Sequence, residues 1–160
     1  MFPELNIPAA KLQLKERKQA DGTVYFVVVD QFRKKELKLT PEEWVRQHFF
    51  HHLVNDKKVP LSLLASEYAI DVHTLKRRCD GVIFNRSGKP IAIIECKAPH
   101  IKLNEETLYQ IAQYNFKLQV SWLILTNGMQ TITCFVDLAA RKLSYLEEIP
   151  SYDGLCKVSP

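Results

Sequence analysis

No stretch of this chain of 160 residues approaches the ~18 consecutive apolar residues of a membrane-spanning helix, and the best candidate, Val24 to Val29, has only a strand's length. The opening Met1-Phe2-Pro3-Glu4 lacks a basic segment followed by an apolar core, so no secretory signal is expected. Cysteine is sparse. Cys79, Cys96, Cys134 and Cys156 are widely separated with no Cys-x-x-Cys pair, which removes zinc clusters and dithiol redox motifs and fits a reduced, cytoplasmic protein. Charge of one sign is also scarce: 22 Lys and Arg against 18 Asp and Glu leave a net +4, short of the strongly basic balance of a domain that binds nucleic acid by charge alone. Five Gly and eight Pro exclude collagenous or low-complexity sequence, while 46% hydrophobic and 25% charged residues describe a globule. The length suits one domain over 1–160, able to bury a core without disulfides.

Residues 1–20 are polar and Lys-rich and read as an N-terminal arm lying on the domain. After the Asp21-Gly22 turn, the β-branched and aromatic run Val24 to Val29 reads as a strand. Thr40-Pro41-Glu42-Glu43 starts a helix: Thr at the N-cap, Pro in the first helical position, Glu43 placed to close a capping box. The helix runs to about Val54, with Trp44, Val45, Phe49 and Leu53 as its core face. Three extended segments follow, Leu61 to Ile70, Lys76 to Phe84 and Pro90 to Lys97, the last two split by Asn85-Arg86-Ser87-Gly88. Asn104-Glu105-Glu106 opens a second helix to about Leu118, with acids favourable to the helix dipole. Two strands, Ser121 to Thr126 and Thr131 to Val136, flank Asn127-Gly128, a hairpin signal. The order of elements implies an α/β fold with a mixed central sheet flanked by helices.

Chemistry concentrates in Arg78-Cys79-Asp80-Gly81-Val82 and Ile93-Ile94-Glu95-Cys96-Lys97. Alternate side chains of a strand share a face, so Glu95 and Lys97 point together. If the two strands pair through the Asn85 to Lys89 turn, Asp80 lies seven residues before Ser87 and Glu95 eight after it, nearly opposite. Two carboxylates and an amine so placed suit metal-assisted phosphodiester hydrolysis: hard oxygens take Mg²⁺ or Mn²⁺, which activates water and neutralises developing charge. The backbone carbonyl of Cys96 is a further candidate metal ligand, and Lys97 would orient or deprotonate the water.

Taken alone, acid-x-Lys is uninformative, since Glu16-x-Lys18, Glu36-x-Lys38 and Asp56-x-Lys58 share it. A surface ion pair worth about 0–1 kcal/mol is the competing reading. Glu95-x-Lys97 stands apart because it ends the apolar run Ile91 to Ile94 and has an Asp in the neighbouring strand. On the second helix, Gln110 and Tyr114 are four apart and share a face, where they could hold phosphate, a base or the lysine.

Asp80, Glu95-Cys96-Lys97 and Gln110-x-x-x-Tyr114 together resemble the PD-(D/E)XK nuclease superfamily, specifically the N-terminal nuclease domain of type I restriction enzyme R subunits. Leu39 to Gln47, Lys76 to Asp80, Ile94 to Pro99 and Leu125 to Gly128 extend the similarity over most of the chain. The resemblance implies a restriction-endonuclease-like fold, Asp80 and Glu95 as metal ligands, Lys97 as catalytic lysine, Gln110 and Tyr114 as the downstream motif, and Glu43 as the acidic position of the first helix. Cys79 stands where that motif has Pro. The R subunit is also a motor, yet no Gly-x-x-x-x-Gly-Lys-[Ser/Thr] loop is present; Gly88-Lys89 is followed by Pro90. The expectation is a DNA endonuclease without its own motor, free-standing or part of something larger, with restriction-modification subunits or a motor protein as candidate partners. Cutting two strands needs two sites, which a homodimer would supply. The alternative is a non-catalytic DNA-binding or assembly module that keeps the fold.

Among weaker candidates, Lys76-Arg77-Arg78 lies beside the proposed site and could contact phosphate. His48, His51 and His52 read as helix histidines, because no Glu stands between them as a zinc hydrolase would need. Cys79 and Cys96 read as packing residues facing away from the acids.

Overall fold

The structure, a computed structural model, describes residues 2–72 and 75–157; within these, the side chains of residues 71, 72, 75–77, 110, 114 and 116 lie outside the described set. Two sheets form. A small antiparallel one contains β1 (Leu14–Lys18), β2 (Val24–Asp30) and β3 (Lys35–Lys38). The main one has six strands in chain order: β4 (Leu64–Val72), β5 (Leu75–Phe84), β6 (Pro90–Cys96), β7 (Trp122–Thr126), β8 (Thr131–Asp137) and β9 (Lys142–Leu146). Every neighbouring pair is antiparallel except β6 with β7. That parallel pair requires a crossover, and the helix α2 (Glu105–Leu118) provides it. The first helix, α1 (Pro41–Asn55), precedes the sheet, a single 3₁₀ turn covers Leu61–Leu63, and a short α3 (Tyr152–Leu155) closes the fold.

Both long helices begin where the sequence places their caps. The backbone N–H of Glu43 donates to Thr40 Oγ1 at 3.1 Å, but the returning half of the expected capping box is replaced: the Glu43 carboxylate goes to Arg33, Arg46 and Gln47 instead. Two guanidiniums are the stronger donors. At α2, Asn104 and Thr107 exchange both capping bonds, at 3.0 and 2.9 Å.

The core has two halves. Ile94 and Cys96 pack with Val45, Phe49, Phe50 and Leu53 of α1, whereas Ile93 packs with Ile111 of α2. Neighbours in a strand point to opposite faces, so the sheet carries α1 on one side and α2 on the other. Six consecutive residues of β6, Ile91 to Cys96, are buried, as a strand covered on both faces demands. The α1 side is sealed by α3, where Trp122 Nε1 donates to the Leu155 carbonyl at 3.0 Å and the Tyr152 hydroxyl to that of Phe84 at 3.1 Å.

The N-terminal arm is more structured than expected. Leu5 and Ile7 pack on the core, Asn6 bonds the β7–β8 turn through its backbone N–H to Gly128 O at 2.8 Å and its side chain to Met129 O at 3.0 Å, and Leu14–Lys18 pairs as a strand with β2. Strands β1, β3 and β9 are polar at many positions and lie at sheet edges, so pairing, not a buried face, holds them.

Side chains press close on Gly81, beside the candidate acid Asp80: a Cβ there would sit 2.7 Å from Phe50 Cζ and 3.3 Å from Ile94 Cδ1. Phe50 is itself buried and hemmed in. Gly81→Ala is therefore expected to destabilise the protein by about 1–3 kcal/mol, measured by urea unfolding, with part of the loss recovered in the Gly81→Ala/Phe50→Leu double variant.

Candidate active site

The site forms where the ends of β5 and β6 meet the first turn of α1. The β5–β6 ladder pairs Gly81 with Ile94, so Asp80 and Glu95 are the next positions on each strand and stand across from one another. On the other side of β5, Ser66 pairs with Gly81 and Tyr68 with Cys79, which leaves Glu67 beside Asp80. Glu67 has φ of +51°, a left-handed backbone that a non-glycine residue adopts at a cost of about 1–3 kcal/mol. Glu67, Asp80 and Glu95 thus run in a row across three strands.

Each acid has a distinct set of partners. Asp80 Oδ2 accepts the backbone N–H of Cys96 at 2.6 Å, and Oδ1 accepts from Arg46 Nη2 at 2.6 Å. Glu95 Oε1 accepts from Lys97 Nζ at 2.8 Å, while Glu95 Oε2 is buried with no hydrogen-bond partner among the described residues. A lone carboxylate oxygen in that condition costs several kcal/mol unless a proton or a cation reaches it. Burial, reinforced by the charge of Asp80, pushes Glu95 up to about 7 against the opposing pull of Lys97. Burial also raises Asp80, although Arg46 and the Cys96 N–H oppose it. Lys97 is lowered by burial, but its hydrogen bond to Glu95 and the charges of Glu95, Asp80 and Glu42 outweigh this and leave it raised and protonated.

The two glutamates that open α1 lie in different surroundings. Glu43 is buried in a network with Arg33, Arg46 and Gln47, and Arg33 continues it to Asp30 and, at 3.0 Å, to Glu67. Glu42 instead shares the field of Asp80, Glu95 and Lys97: burial and the Asp80 charge raise its carboxyl, and it enters the titration of Glu95 and Lys97. One step along a helix turns a side chain by about 100°, so only one of the adjacent glutamates can face the strand ends. Sequence reasoning assigned no role to Glu42, Glu67, Arg33 or Arg46, and of these Arg46 makes the most contacts at the site. Its guanidinium, 8% exposed, contacts Asp80 at 2.6 Å, Glu43 at 2.7 Å and Glu42 at 3.0 Å. The Glu42–Arg46 spacing of four is a legible helical pair; the reach to Asp80 is not.

Cys96 packs with the α1 side of the core and Cys79 with the α2 side, so the two thiols occupy different faces. Burial pushes the Cys79 thiol up to about 12, as befits a packing residue. Arg78 is exposed and pairs with Glu67 at 3.3 Å; the side chains of Lys76 and Arg77 lie outside the described residues, as do those of Gln110 and Tyr114, whose backbone belongs to α2. His48 bonds the Trp44 carbonyl at 2.9 Å, His52 pairs with Asp56 at 2.7 Å, and His51 faces Gln31. Among the described residues, no group of three or more His, Cys, Asp or Glu side chains is arranged to hold a metal ion, and no helix is long and apolar enough to cross a membrane.

A mixed sheet with two carboxylates and a lysine at the ends of adjacent central strands defines the class of α/β proteins with a restriction-endonuclease-like core. The family model described as Type I restriction enzyme R protein N terminus (HSDR_N) matches residues 41–150, more than half of the chain, and the protein belongs to that family. A solved fragment assigned to the HsdR subunit of a type I restriction enzyme from Vibrio vulnificus YJ016 is similar at 19% identity with a TM-score of 0.44, over 57% of this chain and 19% of that one. The present chain therefore spans about a fifth of that structure. No curated protein matches it.

Glu95 has its ionisable proton held more tightly in the folded than in the unfolded chain, so between about pH 4.5 and 7 the folded state binds the extra proton and stability falls as pH rises. The contribution is complete below about 4.5 and lost above 7, on the order of 3 kcal/mol. Glu95→Gln, which cannot ionise, is expected to melt higher than the wild type at pH 8 in the absence of divalent ions and to match it at pH 4.5. Thermal unfolding at the two pH values measures the difference.

Proposed function

We propose that this domain is a Mg²⁺- or Mn²⁺-dependent DNA endonuclease, a reading carried chiefly by the buried Glu95 Oε2, which has no hydrogen-bond partner among the described residues. An oxygen in that state, on a carboxyl whose other oxygen accepts from Lys97 and which stands across the strand pair from Asp80, fits a hard divalent cation. Asp80, Glu95 and the Cys96 carbonyl are the groups that would hold it. Such a set is sparse, and Mg²⁺ tolerates sparseness because it keeps several waters. Asp80 accepts one hydrogen bond on each oxygen, and each oxygen retains a second lone pair. A bound metal would supply Lewis acidity toward the phosphoryl oxygen.

The chain's own groups do the rest. Lys97, fixed by Glu95 at 2.8 Å, would orient the attacking water and stabilise charge on the phosphate as the bond breaks. Arg46 pairs with Asp80 at 2.6 Å and opposes the upward pull of burial on its carboxyl. Glu42, half in solvent, is the acid placed to take a proton from a water on the open side. Gln110 and Tyr114, from the family's downstream motif, would complete the site from α2, and Lys76, Arg77 and Arg78 would contact the DNA backbone. The DNA substrate, restriction-modification subunits or a motor protein as partners, a homodimer for double-strand cutting and a cytoplasmic setting all belong to this same proposal.

One observation favours a second reading. Asp80 is already neutralised by Arg46 and bonded to Cys96, an arrangement that would also serve a non-catalytic module in which the acids only brace α1 against the sheet.

Supercoiled plasmid separates the two. The nuclease reading expects nicking or cutting with Mg²⁺ or Mn²⁺, suppressed by chelation, and a loss of at least 100-fold in rate for Glu95→Ala and for Lys97→Ala. Equal cutting by the wild type and Glu95→Ala would overturn it, and DNA or partner binding without any metal-dependent turnover would favour the module.

A further inference from the structure

On the flank of the site, Phe2, Pro3, Pro41, Pro99 and His100 line an open hollow of about 350 Å³. Its walls belong to the same two segments that build the site: Pro41 adjoins Glu42 at the start of α1, and Pro99 and His100 follow Lys97 by two and three residues. The remaining wall comes from the N-terminal segment, which is held firmly. Phe2 stacks on Trp44 with ring centroids 5.2 Å apart and planes 16° from parallel, Trp44 Nε1 donates to the Pro3 carbonyl at 3.1 Å, and Trp44 is backed by His48 at 4.1 Å. Downstream, Asn6 fastens the same segment to the β7–β8 turn.

We propose that this hollow is a nucleobase subsite, which receives a base of the strand whose phosphate lies at Glu95 and Lys97; the proposal rests on the nuclease reading for that phosphate. Its walls are a phenyl ring, three pyrrolidine rings and an imidazole, flat or apolar surfaces without a fixed pattern of donors and acceptors. Such a lining grips any base by its π-face and does not discriminate among base edges, the behaviour of stacking platforms for single strands. Fixed walls lose little freedom on binding. The position has a mechanistic use: a base seated beside Glu42 and Lys97 anchors the sugar-phosphate next to it at the strand ends, so binding energy remote from the reacting phosphorus sets its position. Sequence indifference at this subsite follows, as does a preference for strands that can leave the duplex stack.

The test is a binding cycle that needs no cleavage. A fluorescein-labelled 4-nucleotide single strand, too short to shift register freely, and the set of strands with one abasic residue at each position in turn, are titrated in Ca²⁺ with the wild type, Phe2→Ala, Phe2→Tyr and His100→Ala, reading anisotropy. Expected is one position at which base removal weakens wild-type binding by roughly 10-fold, the scale of one base stacked on an aromatic ring. Phe2→Ala and His100→Ala should weaken binding of the intact strand and abolish the sensitivity to that abasic position, while Phe2→Tyr keeps it. No sensitive position, no binding of the single strand, or losses that simply add in Phe2→Ala with the abasic strand would overturn the subsite. Plasmid cleavage run alongside separates the two proposals: an intact cycle without metal-dependent cutting removes the nuclease reading alone, and normal cutting with no abasic sensitivity removes the subsite alone.

Discussion

The contact between Arg46 and Asp80 ties the helix to the sheet and defines the site at the same time. Arg46 belongs to the second turn of α1, is almost wholly buried and is surrounded by Glu42, Glu43 and Asp80, with Glu67 at 3.8 Å. Arg33 brings a second guanidinium to Glu43 and Glu67 from the loop after β2. Removing one partner from such a group strands a charge in a poor solvent, typically at 3–5 kcal/mol. The small sheet, α1 and β4–β5 are therefore coupled through a few carboxylates, not only through apolar packing. That coupling also explains why α1 is polar along much of its buried face, where Glu43, Arg46, Gln47 and His48 are all buried.

The same network sets the electrostatic state of the site. Asp30, Glu42, Glu43, Glu67, Asp80 and Glu95 gather around Arg33, Arg46 and Lys97, so acids outnumber bases in a region with little water. Burial displaces Glu42, Asp80 and Glu95 upward, and the charge of Asp80 adds to it at Glu42 and Glu95. A divalent cation relieves such an excess, and a proton on Glu95 relieves part of it. Local crowding of acids also accounts for a net charge of only +4: these acids gather in the network, while Arg78 remains at the surface.

Much of this was legible in the sequence because it rests on local rules. Thr40-Pro41 fixes the start of α1, Asn104 that of α2, and the spacing of Asp80 and Glu95 about Ser87 gives their register in a hairpin. Polar segments at the edges were opaque. Lys-Glu-Leu-Lys at 35–38 and Leu-Lys-Glu-Arg-Lys at 14–18 become strands because Val24–Asp30 offers them a ladder and Glu36 an ion pair with Lys15 and Arg17; neither carries a face pattern that would declare it. Within the site, carboxylates at strand ends could be read from strand alternation, but the different surroundings of Glu42 and Glu43 and the arrival of Arg46 at Asp80 across 34 residues depend on how α1 is set against the sheet. Long-range placement of that kind leaves no periodicity to find.

The parallel pairing of β6 with β7 extends one bond beyond β6, where the Lys97 N–H donates to the Thr126 carbonyl at 2.8 Å. Lys97 is thereby anchored to a residue that the ribosome adds much later, across the whole of α2. Parallel pairings form slowly because the intervening loop must close first, and domains complete as units during synthesis. The hairpin that carries Asp80 and Glu95 is local in sequence, whereas the backbone of Lys97 gains its last tie only when β7 docks, so the acids and the lysine depend on pairings of very different sequence range.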